Sequence, residues 1–410
     1  MLGPGARTVT ISEAREVGGP ERNKIMTRAR PTTRPAPSSQ AAAPEVGPAS
    51  PPARDQAPVL LLSQGFSAWL AANDCSVALT TYQAGRLFLI GRRPDGTVRA
   101  HERLIEQCQG LWTDGQTLWT SGLYALWRFE NDLDPGSVKP DGVDRVFVPR
   151  EGRVTAQIDV HDIGVGDLGQ FGGPAGTGPI FVSTAFNCLA TTSDHASFRP
   201  LWRPPFISEM VGEDRCHLNG LAMDGPRAAY VSAVSRSDVA DGWRERRRDG
   251  GVVLDVSTGD AVATGLSMPH SPRLYDGRLW VLNSGQGELC TIDPKDGTVT
   301  PVAFCPGYAR GLAFIGRYAV VGLSRPRRNQ TFEGLALDDK LAAKDAAPRS
   351  GLLVIDIDTG RTVEWLRFEH TIDELYDVAV LPGVKQAEAV GFRGDDIKQL
   401  VRVGTDGETR

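Results

Sequence analysis

No stretch of this chain comes near the roughly 20 consecutive apolar residues that a membrane-spanning helix needs, so no membrane partner is expected. Neither sign of charge dominates: 45 Lys and Arg stand against 50 Asp and Glu, a formal net of −5. The basic excess of a general nucleic-acid binder is missing, and no nucleic acid is expected. The six cysteines hold no CxxC pair and are scattered through 410 residues. That pattern argues against a cysteine zinc site or a disulfide scaffold, and reduced thiols in a cytoplasmic protein are expected. The N-terminus lacks the basic and apolar regions of a secretory leader. A GxSxG elbow, a P-loop and a dinucleotide fingerprint are also missing, so no nucleotide cofactor is expected. Helical periodicity is scarce, and only FSAWLAAND at 66–74 and LALDDKLAAKD at 335–345 read as helices.

Glycine and proline are plentiful, at 46 and 28 residues. Residues 1–56 are dominated by Pro, Ala and Ser with little to bury, and read as a disordered tail. Met26 offers a second start of translation within it. From 58 to 405 the composition is evenly globular and reads as one domain.

A repeat runs through that domain. Paired apolar strands joined by a turn recur at Ser76, Gly110, Asp162, Gly220, Pro272, Gly311 and Asp377, at steps of 34 to 66 residues. GVVLDVSTGDAVATGL, ELCTIDPKDGTVTPVAF and GLLVIDIDTGRTVEWLRF add further strand–turn–strand segments, whose Asp and Gly residues are turn chemistry. Four short strands per unit, repeated, indicate an all-β fold built as a single β-propeller. Seven anchors favour seven blades, with VLLLS at 59–63 completing the last. Six result if the Ser76 unit merges with the C-terminal unit.

In a propeller the residue ahead of each innermost strand faces the channel mouth. From the second anchor onward that residue is Gln109, His161, Asn219, Ser271, Arg310 and Tyr376, all polar before apolar strands. His217, His270, Asp162, Glu374 and Asp377 stand around them. His161, His217 and His270 fall at three consecutive mouths and are candidate metal ligands, because neutral imidazole suits zinc or iron. Their offsets of zero, minus two and minus one oppose a common facing, since one step on a strand reverses a side chain. The layout resembles, at fold level, propeller enzymes such as the peptidylglycine amidating lyase. A calcium ion on Asn219, Asp162 and Asp377 ranks second, by resemblance to propeller lactonases. Asp162, Asp377 and Tyr376 are the candidate acid–base groups. Gln109, Asn219 and Ser271 read as substrate-binding.

Arg236 and Arg325 each follow a Ser directly after a strand, and with Arg310, Arg327 and Arg328 they could ring the mouth as anion clamps. Arg246, Arg247 and Arg248 read as a solvated run. Six tryptophans sit in strand positions as core; Trp243, in a polar loop, is the exception.

The segments RPLWRPPFIS, EDRCHLNGLA, AVSRSDVADGWR, GLSMPHSPR, LNSGQGE, FCPGYARGLAF and ELYDVAVLPG resemble a family of bacterial conserved hypothetical proteins, a domain of unknown function sometimes labelled TPR-containing. The resemblance covers about 65 to 395 and implies one cytosolic domain. It carries over no catalytic residues, and no helical 34-residue repeat is visible. Two readings follow. One is an enzyme, lyase or hydrolase, acting with a divalent metal on a small anionic molecule. The other is a non-catalytic binding platform.

Overall fold

The computed structural model of the protein describes residues 7–10, 58–325, 334–369 and 371–404. Six sheets, each built on an antiparallel four-stranded core, are arranged as the blades of a propeller. Blade 1 joins Val378–Pro382, innermost, to Cys75–Thr81, Arg86–Arg92 and Val98–Leu104. Blade 2 holds Leu111–Thr113, Thr117–Ser121, Ala125–Asn131 and Arg145–Val154, with Ala387–Ala389 added in parallel outside. The inner strands of blades 3 to 6 are Val160–Asp167, Leu218–Asp224, Pro269–Tyr275 and Tyr308–Ile315.

Blade 1 settles the count at six rather than seven. The Ser76 and Asp377 segments, which look like two units, are neighbours in one sheet, with Val378 opposite Leu79 and Pro382 opposite Cys75. The C-terminal strand thus closes the ring on the N-terminal blade, which removes two exposed sheet edges. Val59–Leu62 does not complete that blade. It pairs with Arg361–Glu369 on the outside of blade 6. Arg7–Thr10 pairs with it in turn, so this part of the expected disordered tail is a strand. Residues 1–6 and 11–57 lie outside the described residues.

The strands are buried on both faces, which is why they read as nearly continuous apolar runs. In Arg86–Arg92, Phe88 and Ile90 pack toward blade 6, while Leu87 and Leu89 pack toward blade 2. Burying each of these side chains is worth about 1.5–3 kcal/mol. Every pair of adjacent blades shares such a core. The two expected helices are present as α1, Phe66–Ala72, and α2, Ala336–Ala343; a third, α3, spans Asp396–Gln399. α1 packs Phe66, Trp69 and Leu70 into the blade 6–blade 1 core. α2 joins Trp243, Met268 and Tyr308 in an apolar cap. The hairpin turns behave as their Asp residues require: Asp255 Oδ1 accepts from the amides of Ser257 and Thr258, and Asp356 Oδ1 from those of Asp358 and Thr359. All six cysteines are free and buried, and burial pushes five of them up to about 12, so they stay protonated. No helix is long and apolar enough to cross a membrane among the described residues.

The inner strands meet around one charged knot. Arg273 of blade 5 donates to both carboxylate oxygens of Asp162 in blade 3, at 2.8 and 3.2 Å. It also donates to the carbonyls of Leu221 in blade 4 and Leu312 in blade 6. Its Nη2 stands 3.7 Å from Asp377, at the start of the inner strand of blade 1. Asp377 accepts in turn from the Leu111 amide of blade 2 at 2.9 Å. One guanidinium and two carboxylates therefore tie all six blades. Burial opposes the charge on Arg273, but Asp162 and Asp377 outweigh it and raise its pKa. Burial first, then the charge of Asp162, pushes Asp377 up to about 8, with Arg273 and two backbone amides pulling the other way.

Two predictions follow from the knot. Arg273→Met should lower stability by about 3–5 kcal/mol, because it leaves the buried Asp162 charge, beside Asp377, without its cation. Adding Asp162→Asn and Asp377→Asn should restore much of that loss in denaturant unfolding. A loss in Arg273→Met that the triple variant does not recover would count against the charge account. The second concerns pH. Folded Asp377 keeps a proton that the unfolded chain releases near pH ~4. Its contribution is therefore full below that pH and declines as pH rises toward about 8. Wild type should lose stability relative to Asp377→Asn between about pH 5 and pH 8, and equal slopes in the two proteins would refute this.

Candidate functional site

The inner strands all begin at the same end of the channel, and four of them begin with a bulge. The register shifts between Val160 and Ile163, Leu218 and Gly220, His270 and Arg273, and Ala309 and Leu312. A bulge re-aims the side chain it carries. Left-handed backbone at Asp159, His217, Met268 and Ser271 turns the chain further at the same level. These local devices overcome the unequal offsets of the three histidines. Gln109, His161, Asn219, Ser271, Arg310 and Tyr376 are all buried at the mouth, none more than 8% exposed.

Several of these residues touch. His161 packs edge-on against His217 at 5.0 Å and against Tyr376 at 5.1 Å between ring centroids. The Arg310 guanidinium lies 5.2 Å over the Tyr376 ring, and its Nη1 donates to Glu374 at 2.9 Å. Asn219 reaches His270 Nε2 with its Nδ2 at 3.4 Å, while its Oδ1 accepts from Ser232. Gln109 donates to Asp159 at 2.5 Å. Ser271 accepts from the Gly311 amide at 3.0 Å.

A second layer of hydroxyls backs this ring. Thr80, Ser121, Thr184, Ser284 and Ser324 stand at the ends of second strands. Each donates to a carbonyl at the start of the next blade's inner strand, Gln109, Val160, Leu218, Ala309 and Leu375 respectively. Sequence reading missed this clasp, although the residues recur in LTT, WTS, VST, LNS and GLS. One clasp and one backbone carbonyl also set histidine tautomers. The Thr184 hydroxyl gives its proton to Leu218, so at 2.7 Å it accepts one from His161 Nδ1. His270 Nδ1 lies 2.9 Å from the Met268 carbonyl, which only accepts. Both rings thus carry the proton on Nδ1 and keep a lone pair on Nε2. Burial lowers His161 to about 4 and His270 well below its usual range, with Arg310 adding to the effect in both. Both imidazoles are neutral near pH 7.

His217 is held differently. Its Nδ1 donates to Asp214 Oδ2 at 2.9 Å. Trp243 Nε1 donates to the same oxygen at 3.0 Å, and the Trp243 ring stacks on His217 at 4.1 Å and 28°. Asp214 Oδ1 is buried without a hydrogen-bond partner among the described residues. Burial works against the Asp214 charge, but His217 and the Trp243 bond prevail and lower its pKa. Asp214 is the site residue that the sequence reading missed; its signal was the spacing Asp-x-x-His in EDRCH, on a turn rather than a helix. Trp243 is a 2% exposed clamp and not a loop ornament.

Other expectations change. Asp162 and Asp377 lie one residue past the mouth with their oxygens taken by Arg273 and backbone amides, so they are structural ties and not free acid–base groups. Arg236 is exposed over the Phe206 ring, and Arg325 pairs with Asp373. Arg327 and Arg328 lie outside the described residues. The expected three-histidine metal set does not fit. His270 turns Nε2 to the Asn219 amide, and no three His, Cys, Asp or Glu side chains among the described residues group around a point. The calcium variant fails because Arg273 occupies Asp162, stands beside Asp377, and Ser232 occupies Asn219. Two surface cavities of about 470 and 340 Å³ lie away from the mouth, the first beside Trp202 and Gly259, the second beside Leu70 and Lys385.

The profile of the family described as Domain of unknown function (DUF4915) matches residues 64–390. No curated protein matches the chain. Among solved structures, a chain of a nidogen/laminin complex is 11% identical, with a TM-score of 0.47, covering 76% of this chain and 99% of that one. A catalytically inactive variant of virginiamycin B lyase from Staphylococcus aureus, solved with quinupristin, is 10% identical at a TM-score of 0.36, covering 73% and 96%. A protein of unknown function from Bacteroides caccae is 9% identical at 0.40, covering 75% and 98%.

Proposed function

The chain belongs to the DUF4915 family, and from that premise we propose that the propeller mouth is the site of an enzyme, a lyase or hydrolase, acting on a small anionic molecule. The observation that carries this reading is the convergence of six buried polar side chains, one per blade, on one opening. Burying polar groups is unfavourable unless they are bonded or used. Arg310 supplies the charge. It stands close enough to His161 and His270 to oppose their protonation, and its Nη1 is held by Glu374. The neutral His161 adds a hydrogen-bond acceptor without adding positive charge. An anion bearing hydroxyl or amide donors suits that combination.

A binding platform is the second reading, favoured by the exposed Leu104, Tyr124 and Val154 on the mouth-side ends of blades 1 and 2. A panel of small carboxylates and phosphates in a thermal-shift assay separates the two. At least one anion should raise the melting temperature by a few degrees, as binding to the folded state alone requires. Arg310→Gln, folded by circular dichroism, should lose most of that rise. A melting temperature unmoved across the panel would favour the platform.

A further inference from the structure

We infer that His217 is the proton-accepting residue of the mouth, with Asp214 as its positioning residue and Trp243 as the clamp that holds the pair. This rests on the reading of the mouth as a small-molecule site and names the group that would act there. The geometry singles out His217 among the three rings. His161 and His270 hand their Nδ1 protons to a hydroxyl and a carbonyl, and the nearest carboxylate to His161, Asp159, stands off at 3.6 Å, beyond hydrogen-bond reach. His217 hands its proton to a carboxylate, which stabilises the imidazolium formed when Nε2 takes a second proton. Its side chain keeps 11% of its surface open, against 5% for His161. Trp243 fixes both members at once, stacking on the ring and bonding the carboxylate oxygen that the ring uses. That oxygen cannot turn away without losing two bonds. The apolar cap of Met268, Leu337 and Leu341 around Trp243 backs the clamp from blade 5 and α2.

In the step itself, Nε2 of His217 takes a proton from a carbon or oxygen of the substrate. The electron pair of the broken bond stays on the substrate, next to the field of Arg310. The Nδ1 proton stays in its bond to Asp214.

Alkylation tests this without a known substrate. Iodoacetate carries a carboxylate and an electrophilic carbon; iodoacetamide has the carbon alone. At His217, the Nε2 lone pair would form a bond to that carbon as the carbon–iodine bond breaks and iodide leaves. Mass-spectrometric mapping of the full-length protein should find His217 modified by iodoacetate at least about tenfold faster than the exposed His195. The buried, protonated cysteines compete little. Iodoacetamide should be slower at His217 by a similar factor. D214N should slow His217 labelling at least about tenfold, and D214E should restore part of it.

Labelling that falls on His161 or His270 while His217 stays unmodified would overturn the assignment, whether or not the variants fold. Folded D214N labelling at the wild-type rate would overturn the role of Asp214. Equal rates for the two reagents at His217 would leave the assignment standing and sink the anionic-substrate reading instead.

Discussion

A single guanidinium at the axis sets the terms for the rest of this molecule. Arg273 bonds the Asp162 carboxylate and carbonyls of the neighbouring inner strands, and stands beside Asp377, whose second oxygen takes the Leu111 amide. A buried charge group of this kind gains little over a well-packed apolar plug, and breaking it is expensive. Its effect is therefore on geometry. Each inner strand must arrive at the axis at one depth, with its first residues at one level. Bulges and left-handed residues absorb the differences in strand entry. Gly311 shows how tight this is: at φ +73°, a Cβ there would stand 2.6 Å from the Val378 amide nitrogen.

The mouth inherits its order from that constraint. The hydroxyl clasps that stitch one blade to the next are the same groups that accept the Nδ1 hydrogen bond of His161 and lie against His270. Fold and site are thus built from shared hydrogen bonds, and the imidazole orientations follow from blade closure. His217 departs from this scheme. It takes its partner from Asp214, in its own turn, and its support from a tryptophan in the following loop. Of the three rings at the mouth, the one hydrogen-bonded to a carboxylate stands outside the propeller's repeating bonds.

Much of the architecture was legible in the chain. Strand-length apolar runs, Asp–Gly turns and two short helices are local properties, because burial on both faces and turn geometry act over a few residues. The polar residue at the start of each inner strand stood out for the same reason, and all six sit at the mouth. Arg236 and Arg325 looked alike, since each follows a Ser after a strand. One lies on Phe206 and the other reaches Asp373, choices made by side chains far away in sequence. The hydroxyl clasps were equally present in the sequence, but a Ser or Thr at a strand end has no visible partner until the next blade is beside it.

By itself the sequence determined an all-β repeat, its turns, its free cysteines without pairing motifs, and the polar column at the strand starts. These depend on residue type and short-range spacing. Tertiary structure alone decided that Ser76 and Asp377 share one blade, that three histidines at unequal offsets meet one opening, and that Asp162 and Asp377 serve closure. Each of those outcomes depends on pairings across about 50 to 300 residues of chain, where register and bulges, not local preference, set which atoms face each other.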